Sequence, residues 1–289
     1  MTAVPSTTSA DRYARTPCPW PASGGWYSRR HVPENDAFDR PPGRLGGPVT
    51  SLIELLTTYA FIGQERQERL GDWVGNDGDF AMDFPSRRIE WSSGPVARCD
   101  LLGSEAGGTW LWAWANTSLP FGSEVLSAAN TLRQRGTELD VPELTERGFP
   151  VDDVRNGHVL GTVASGLLGG NGYYFGHGET SAVLTLVTAP ELALRPADAI
   201  VLSGIITRSL GVFPVPHRPA TRAYLDQRGA QVAVADDGSW QVQAPAGGQL
   251  TLTFDHLDRV SAVSLEQGPA QGRLTPPPRR GGLFRRPKR

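Results

Sequence analysis

His177 and Glu179 stand two residues apart in the run Gly176-His177-Gly178-Glu179, just after Tyr173 and Tyr174. A histidine beside a carboxylate is, in outline, a general acid–base pair, because a neighbouring anion tunes and orients the imidazole. A short turn between strands is also polar simply because water wets it. The pair therefore reads first as a wet turn and second as chemistry. Asp72, Asp77, Asp79 and Asp83 form an acidic run among glycines. It lacks the ligand spacing of a calcium loop and reads as a solvated turn. Two cysteines and five histidines are scattered without zinc spacing. Gly169–Gly172 follows a helical pattern and precedes a strand, the reverse of a phosphate-cradling loop, and reads as a helix stop. No nucleotide, metalloprotease or nucleophile-elbow motif occurs. No catalytic residue, metal or cofactor is assigned.

Recognition is better represented than catalysis. Thr109-Trp110-Leu111-Trp112-Ala113-Trp114-Ala115-Asn116 places three indoles at every second position. In a strand, Trp110, Trp112 and Trp114 share one face, and Leu111, Ala113 and Ala115 make a flat opposite face fit for a close helix, so a central strand covered on both faces is expected. The stripe reads as core packing, with the alternative that one end walls an aromatic groove reaching Asn116, Tyr173, Tyr174, His177 and Glu179. Asn116 itself reads as a strand end that bonds its own backbone. Arg66 lies seven residues beyond Tyr59, on the extension of the Leu52/Tyr59 helix face. It is either buried against a carboxylate or marks where the helix leaves the core, with ligand binding as a further reading.

The elements that must position these groups follow from periodicity. Leu52, Leu55, Leu56, Tyr59, Ile62 and Leu70 recur at helical spacing within 49–72, behind a capping box of Ser51 and Glu54. Period-two runs at Phe80–Phe84, Arg87–Trp91, Val96–Ser104 and Thr109–Asn116 are joined by short turns, so they pair antiparallel. Helices are predicted from Glu124 to Arg135 capped by Ser123, from Asp152 through Leu168, from Pro196 to Leu210, and over 217–228. Leu139–Phe149 reads as loop or a short helical turn. Strands Tyr173–Phe175 and Ser181–Val187 flank the His177 turn, and 230–266 returns to period two with Asp237-Gly238 as a hairpin signal.

Charge divides the chain unevenly. The net charge is −2, yet residues 268–289 carry +7 and residues 1–46 carry +2, which leaves −11 for 47–267. An acidic body argues against nucleic acid as partner, while the basic tail could make weak contacts with anions. The 27 arginines against one lysine fit a GC-rich genome. Two unpaired cysteines fit a reducing cytoplasm, and neither a signal peptide nor a membrane-spanning run is expected.

Three stretches together carry a resemblance: Tyr59-Ala60-Phe61-Ile62-Gly63-Gln64-Glu65-Arg66-Gln67, Leu102-Gly103-Ser104-Glu105, and Thr109–Asn116. Over roughly 50–213 the chain resembles a bacterial and actinobacterial family of uncharacterised proteins. That resemblance implies no activity, substrate or catalytic residue. The element order α-β-β-β-α-β-β-α, with an extra helix, is also similar to secretion-chaperone and YbjN-like folds, which bind other proteins; a likeness of order does not fix function.

The expectation is an α+β protein: a twisted antiparallel sheet with packed helices, followed by a small antiparallel β meander that could form its own lobe. Its segments are a disordered arm (1–46), a main domain (47–213), a C-terminal helix and meander (214–267) and a disordered basic tail (268–289). The expected function is a non-enzymatic, cytoplasmic protein-binding module, chaperone-like or immunity-like. The rival is an enzyme or small-ligand receptor with a cleft near the end of the tryptophan strand. A deep pocket with converging His, Glu and Arg groups favours the rival; an open groove or flat acidic face favours binding.

Overall fold

The computed structural model describes residues 51–75, 79–178 and 180–266. The N-terminal arm with Trp20, Trp26 and Tyr27, the basic tail, Cys18, Asp77 and Glu179 lie outside the described residues.

The first helix, α1 (Leu52–Val74), begins where Ser51 Oγ accepts the Glu54 N–H at 3.2 Å and ends at Gly75, whose φ of 77° suits a residue without a side chain. Strands β1 (Phe80–Asp83), β2 (Arg88–Trp91), β3 (Val96–Ala106) and β4 (Thr109–Trp112) follow as antiparallel neighbours. Next come α2 (Ser127–Leu139), α3 (Pro142–Thr145), β5 (Gly148–Pro150), α4 (Gly157–Leu168), β6 (Gly172–His177) and β7 (Ser181–Thr188). After α5 (Ala199–Leu210) and α6 (His217–Gln227), strands β8 (Gln231–Val234), β9 (Trp240–Gln243), β10 (Gln249–Phe254) and β11 (Val260–Glu266) form the meander. The fold is α+β, with a seven-stranded antiparallel sheet and a four-stranded one.

The strand at the centre of the large sheet is β3, not the tryptophan strand. One edge of β3 pairs first with β2 and then with β4, and the other edge runs along β7. A bulge at Leu102 shifts the β7 register between Leu101 and Gly103. Through it, consecutive leucines are both buried: Leu102 in the core with α1 and α4, Leu101 in a second cluster with Val125 and Ala129. Both sheet faces are thus covered, as the flat Leu/Ala side of 109–116 suggested.

The tryptophan run itself is shorter than its alternation implies. It leaves the sheet at Trp112, and Ala113–Ala115 turns as a 3-10 helix. β5 pairs only with Thr109–Leu111, and β3 offers Gly103 to Trp112 but no partner further on. With no ladder to join, the backbone closes on itself, Asn116 N–H donating to the Ala113 carbonyl at 3.2 Å. Trp110 and Trp112 are fully buried and stack edge to face at 5.1 Å. Trp114 points elsewhere, half-buried beneath the Arg133 guanidinium at 4.1 Å. The three indoles therefore do not form one stripe.

Other boundaries shift for local reasons. α2 starts at Ser127 without a side-chain cap, and Ser123 is not its cap. α4 starts at Gly157, where Asn156 Oδ1 accepts from His158 and Val159 N–H; Asp152 instead closes a turn with Arg155. α5 is capped by Asp198 rather than opened by Pro196. Within 139–149, expected to be loop or a short helical turn, α3 is that turn, and β5 begins at its end, where no strand was expected. The meander shares its core with the rest of the molecule: Trp240, Val242, Leu250 and Leu252 bury in the same cluster as Leu52, Leu56, Leu202 and Tyr224.

Candidate functional site

The middle of α1 is strongly polar in sequence and yet largely buried. Glu65 and Gln67 are only 8% and 7% exposed. Such burial requires partners, and each polar side chain here finds one on a different element. Glu65 Oε2 accepts from the Tyr224 hydroxyl of α6 at 2.9 Å and lies 3.1 Å from Arg228 Nε. Gln67 reaches β6, its Nε2 donating to the Tyr173 carbonyl at 3.1 Å and its Oε1 accepting the Tyr173 N–H at 2.8 Å. Arg66 Nη1 donates to the Ser165 carbonyl at 2.9 Å and to Ser165 Oγ at 3.2 Å. Ser165 lies in the last turn of α4, whose carbonyls have no intrahelical donor and carry the negative end of the helix dipole.

Between these contacts lies a groove of about 660 Å³, lined by Tyr59, Ile62 and Arg66 of α1, Gly166 of α4, Ala193 and Leu194 of the segment before α5, and Arg228 after α6. Thr58, Asn171 and Gln227 complete it. Its framework is pinned by side chain to backbone bonds. Gln227 Nε2 donates to the Thr58 carbonyl at 2.7 Å, Arg228 Nη2 donates to the Arg195 carbonyl, and Asn171 Oδ1 accepts the Ala189 N–H at 3.0 Å. Tyr59 lies flat on Gly166, where a Cβ would come within 2.2 Å of its ring. Only glycine admits that contact, which sets the groove's aromatic wall.

Electrostatics within the site follow from burial. Burial raises the Glu65 carboxyl above its usual range, with Arg228 and the Tyr224 hydroxyl opposing. Burial also raises the Tyr224 hydroxyl, reinforced by the Glu65 charge. Burial lowers Arg66, with Tyr59 and Glu65 opposing, and raises Tyr59 against the pull of Arg66. Neither reading of Arg66 from sequence holds as drawn. It stays on the packed part of the helix, but its hydrogen bonds go to neutral oxygens of Ser165, and among the described residues no carboxylate pairs with it.

The other residues singled out from sequence are not gathered here. None of Trp110, Trp112, Trp114, Asn116, Tyr173, Tyr174 or His177 lines the groove. Trp112 Nε1 donates to the Glu143 carbonyl at 2.9 Å; Trp110 and Trp114 bury Nε1 without a hydrogen-bond partner among the described residues. Asn116 Oδ1 accepts from Ser118 N–H at 3.1 Å and from its hydroxyl at 2.6 Å, a turn that bonds its own backbone. Tyr174 packs edge-on against Phe80 at 4.8 Å and Trp91 at 5.7 Å. His177 is exposed, with its ring 4.8 Å from Phe175. Tyr173 meets a histidine the sequence reading passed over: its hydroxyl lies 3.2 Å from His158 Nδ1. Burial, with a smaller contribution from His177, depresses His158 to about 4.

Glu65, Gln67, Tyr224 and Arg228 were missed as well. The signal available was the helical phase of α1, which puts Gln67 on the buried face of Leu56, Ala60 and Gly63. Among the described residues no group of three His, Cys, Asp or Glu could hold a metal ion, and no helix is long and apolar enough to cross a membrane.

Residues 53–190, just under half of the chain, match the family model of a family of unknown function, DUF6882. The match takes in the buried polar stretch of α1, the tryptophan run and β6, and ends before α5 and α6. No curated protein and no solved structure matches the chain.

Proposed function

We propose that this chain is a non-enzymatic protein-binding module and that the Tyr59–Arg66–Arg228 groove is its binding face. The observation that carries this reading is the form of the groove. It is open, walled by Tyr59, Ile62, Ala193 and Leu194, and framed by Arg66, Gln227 and Arg228, each anchored by a bond to a backbone carbonyl. Fixed walls with modest apolar area suit holding an extended segment. The groups whose protonation is most displaced, Tyr224, Tyr173, Cys99 and His158, are not among its lining residues. We place the protein in the cytoplasm, since Cys99 is a free buried thiol and the chain has two cysteines in all.

The test is affinity capture from native lysate on the full chain and on Leu194→Asp, with mass spectrometry of both proteins and small molecules. A protein recovered with the wild type and lost with Leu194→Asp supports the reading. Recovery of a metabolite alone, or of the same proteins on both baits, overturns it.

A further inference from the structure

Arg66 has more donors than its own fold uses. Nη1 is spent on the two oxygens of Ser165. Among the described residues Nε and Nη2 have no partner, and neither is among the buried atoms left unsatisfied, so both reach solvent in the groove that Arg66 lines. A guanidinium presenting Nε and Nη2 side by side is the fork that takes a carboxylate through two parallel bonds.

The surrounding charge supports an anion at that point. The Glu65 carboxylate is turned to Tyr224 and Arg228, at 2.9 and 3.1 Å. Arg228, on the opposite wall, keeps the local balance from being negative. Arg69, one turn on from Arg66, is bound to the backbone carbonyl of Glu191 rather than to a carboxylate. The α4 carbonyl end, which would repel an anion, is already met by Arg66 Nη1. Apolar walls stand within the same groove, from Ile62, Ala193, Leu194 and the Tyr59 ring. The volume of about 660 Å³ exceeds what one small anion fills.

We infer that the groove reads a side-chain carboxylate flanked by an apolar residue in an extended segment of the partner protein, with Arg66 as the carboxylate receptor. This rests on the groove being the binding face. An open groove lets a chain pass through it, which favours an internal acidic residue over a free metabolite.

The experiment is selection of a random-heptapeptide phage library on the immobilised full chain, repeated on Arg66→Gln, Arg66→Lys and Leu194→Asp, each first checked for a native melting transition. The expected result is enrichment of Asp or Glu next to Leu, Ile, Val or Phe. That enrichment disappears on Arg66→Gln and is weaker on Arg66→Lys, which keeps the charge but not the fork. Recovery of all peptides falls on Leu194→Asp. On the wild type, sodium acetate elutes the selected phage better than sodium chloride at equal ionic strength, a readout that needs no variant. Affinity for a synthesised hit falls about tenfold when its acid is replaced by the amide. Peptides that are selected without acidic enrichment, or whose enrichment survives Arg66→Gln, overturn the carboxylate inference and leave the binding reading standing. Failure to select any peptide overturns both, and elution by phosphate far better than by acetate overturns the assignment to a carboxylate.

Discussion

Gln67 completes β6 as though it were a neighbouring strand. Its side-chain amide both donates to and accepts from the backbone of Tyr173, at 3.1 and 2.8 Å, on the edge of β6 that faces away from β7. A helix thereby satisfies a buried strand edge that would otherwise lack a partner. Gln67→Leu keeps the volume but strands one N–H and one C=O. It should cost about 2–4 kcal/mol, because each unsatisfied buried group carries its desolvation penalty. Urea unfolding followed by circular dichroism checks this, and a loss below the range of ordinary surface substitutions would show that water replaces the amide.

Glu65 and Arg228 form a partly shielded ion pair, with side chains 10% and 8% exposed. Removing one member of such a pair leaves the other charge uncompensated. Glu65→Ala should therefore destabilise the fold by about 3 kcal/mol, and by more than Arg228→Met paired with Glu65→Gln, which removes both charges. A thermal or urea double-mutant cycle reads the coupling.

His158 gives the stability a pH dependence of definite sign. Its folded value lies at about 4, below the ordinary 6.5, because burial between Tyr173 and Phe175 disfavours the charged ring and His177 adds to the effect. Above pH 6.5 neither state binds the proton. As pH falls from about 6.5 towards about 4, the unfolded chain takes up a proton that the folded chain refuses, so stability drops by up to roughly 3 kcal/mol. His158→Gln should flatten that part of the curve, measured as urea midpoints across the window against the wild type.

Cys99 is buried in the sheet, and burial together with the charges of Asp100 and Asp83 pushes its thiol up to about 12. A thiol held protonated is a poor nucleophile. In a Cys18→Ser background, the native protein should not react with a disulfide reagent at about pH 8, and should react fully once unfolded in guanidinium. Rapid native reaction would mean that the β3–β7 sheet opens locally.

Much of this architecture was legible because periodicity and turn residues agree with it. The capped α1, the β1–β4 ladder, the β6–β7 hairpin and the Asp237-Gly238 hairpin each carry their own local signal. The tryptophan run misled because alternation reports which face a residue would take if extended, not whether a partner strand exists; β3 has none to offer beyond Trp112. β3 escaped notice as the centre because its double pairing depends on a bulge at Leu102, a feature of register rather than of composition. The candidate site was half legible. Arg66 stood out by its phase on the helix, but Arg228 and Tyr224 lie some 160 residues further on, and only the tertiary fold brings them to Glu65.

Gly166 ties the architecture to the groove. A Cβ there would lie 2.2 Å from Tyr59 Cγ and 2.3 Å from Cδ1, too close for any rotamer of the ring as it stands. Gly166→Ala sits in a regular turn of α4, where alanine is by itself the better helix former by about 1 kcal/mol. The clash opposes that gain, and overpacking of this kind costs about 1–3 kcal/mol unless the ring swings away. Since Tyr59 borders open space on its groove side, the ring should move into the groove, leaving the melting temperature within a few degrees of wild type while narrowing the cleft. Partner or peptide capture should then fall sharply in Gly166→Ala and recover in Gly166→Ala with Tyr59→Leu, whose side chain fits beneath the new methyl. A Gly166→Ala variant that keeps full binding would place the occupied face elsewhere on the molecule.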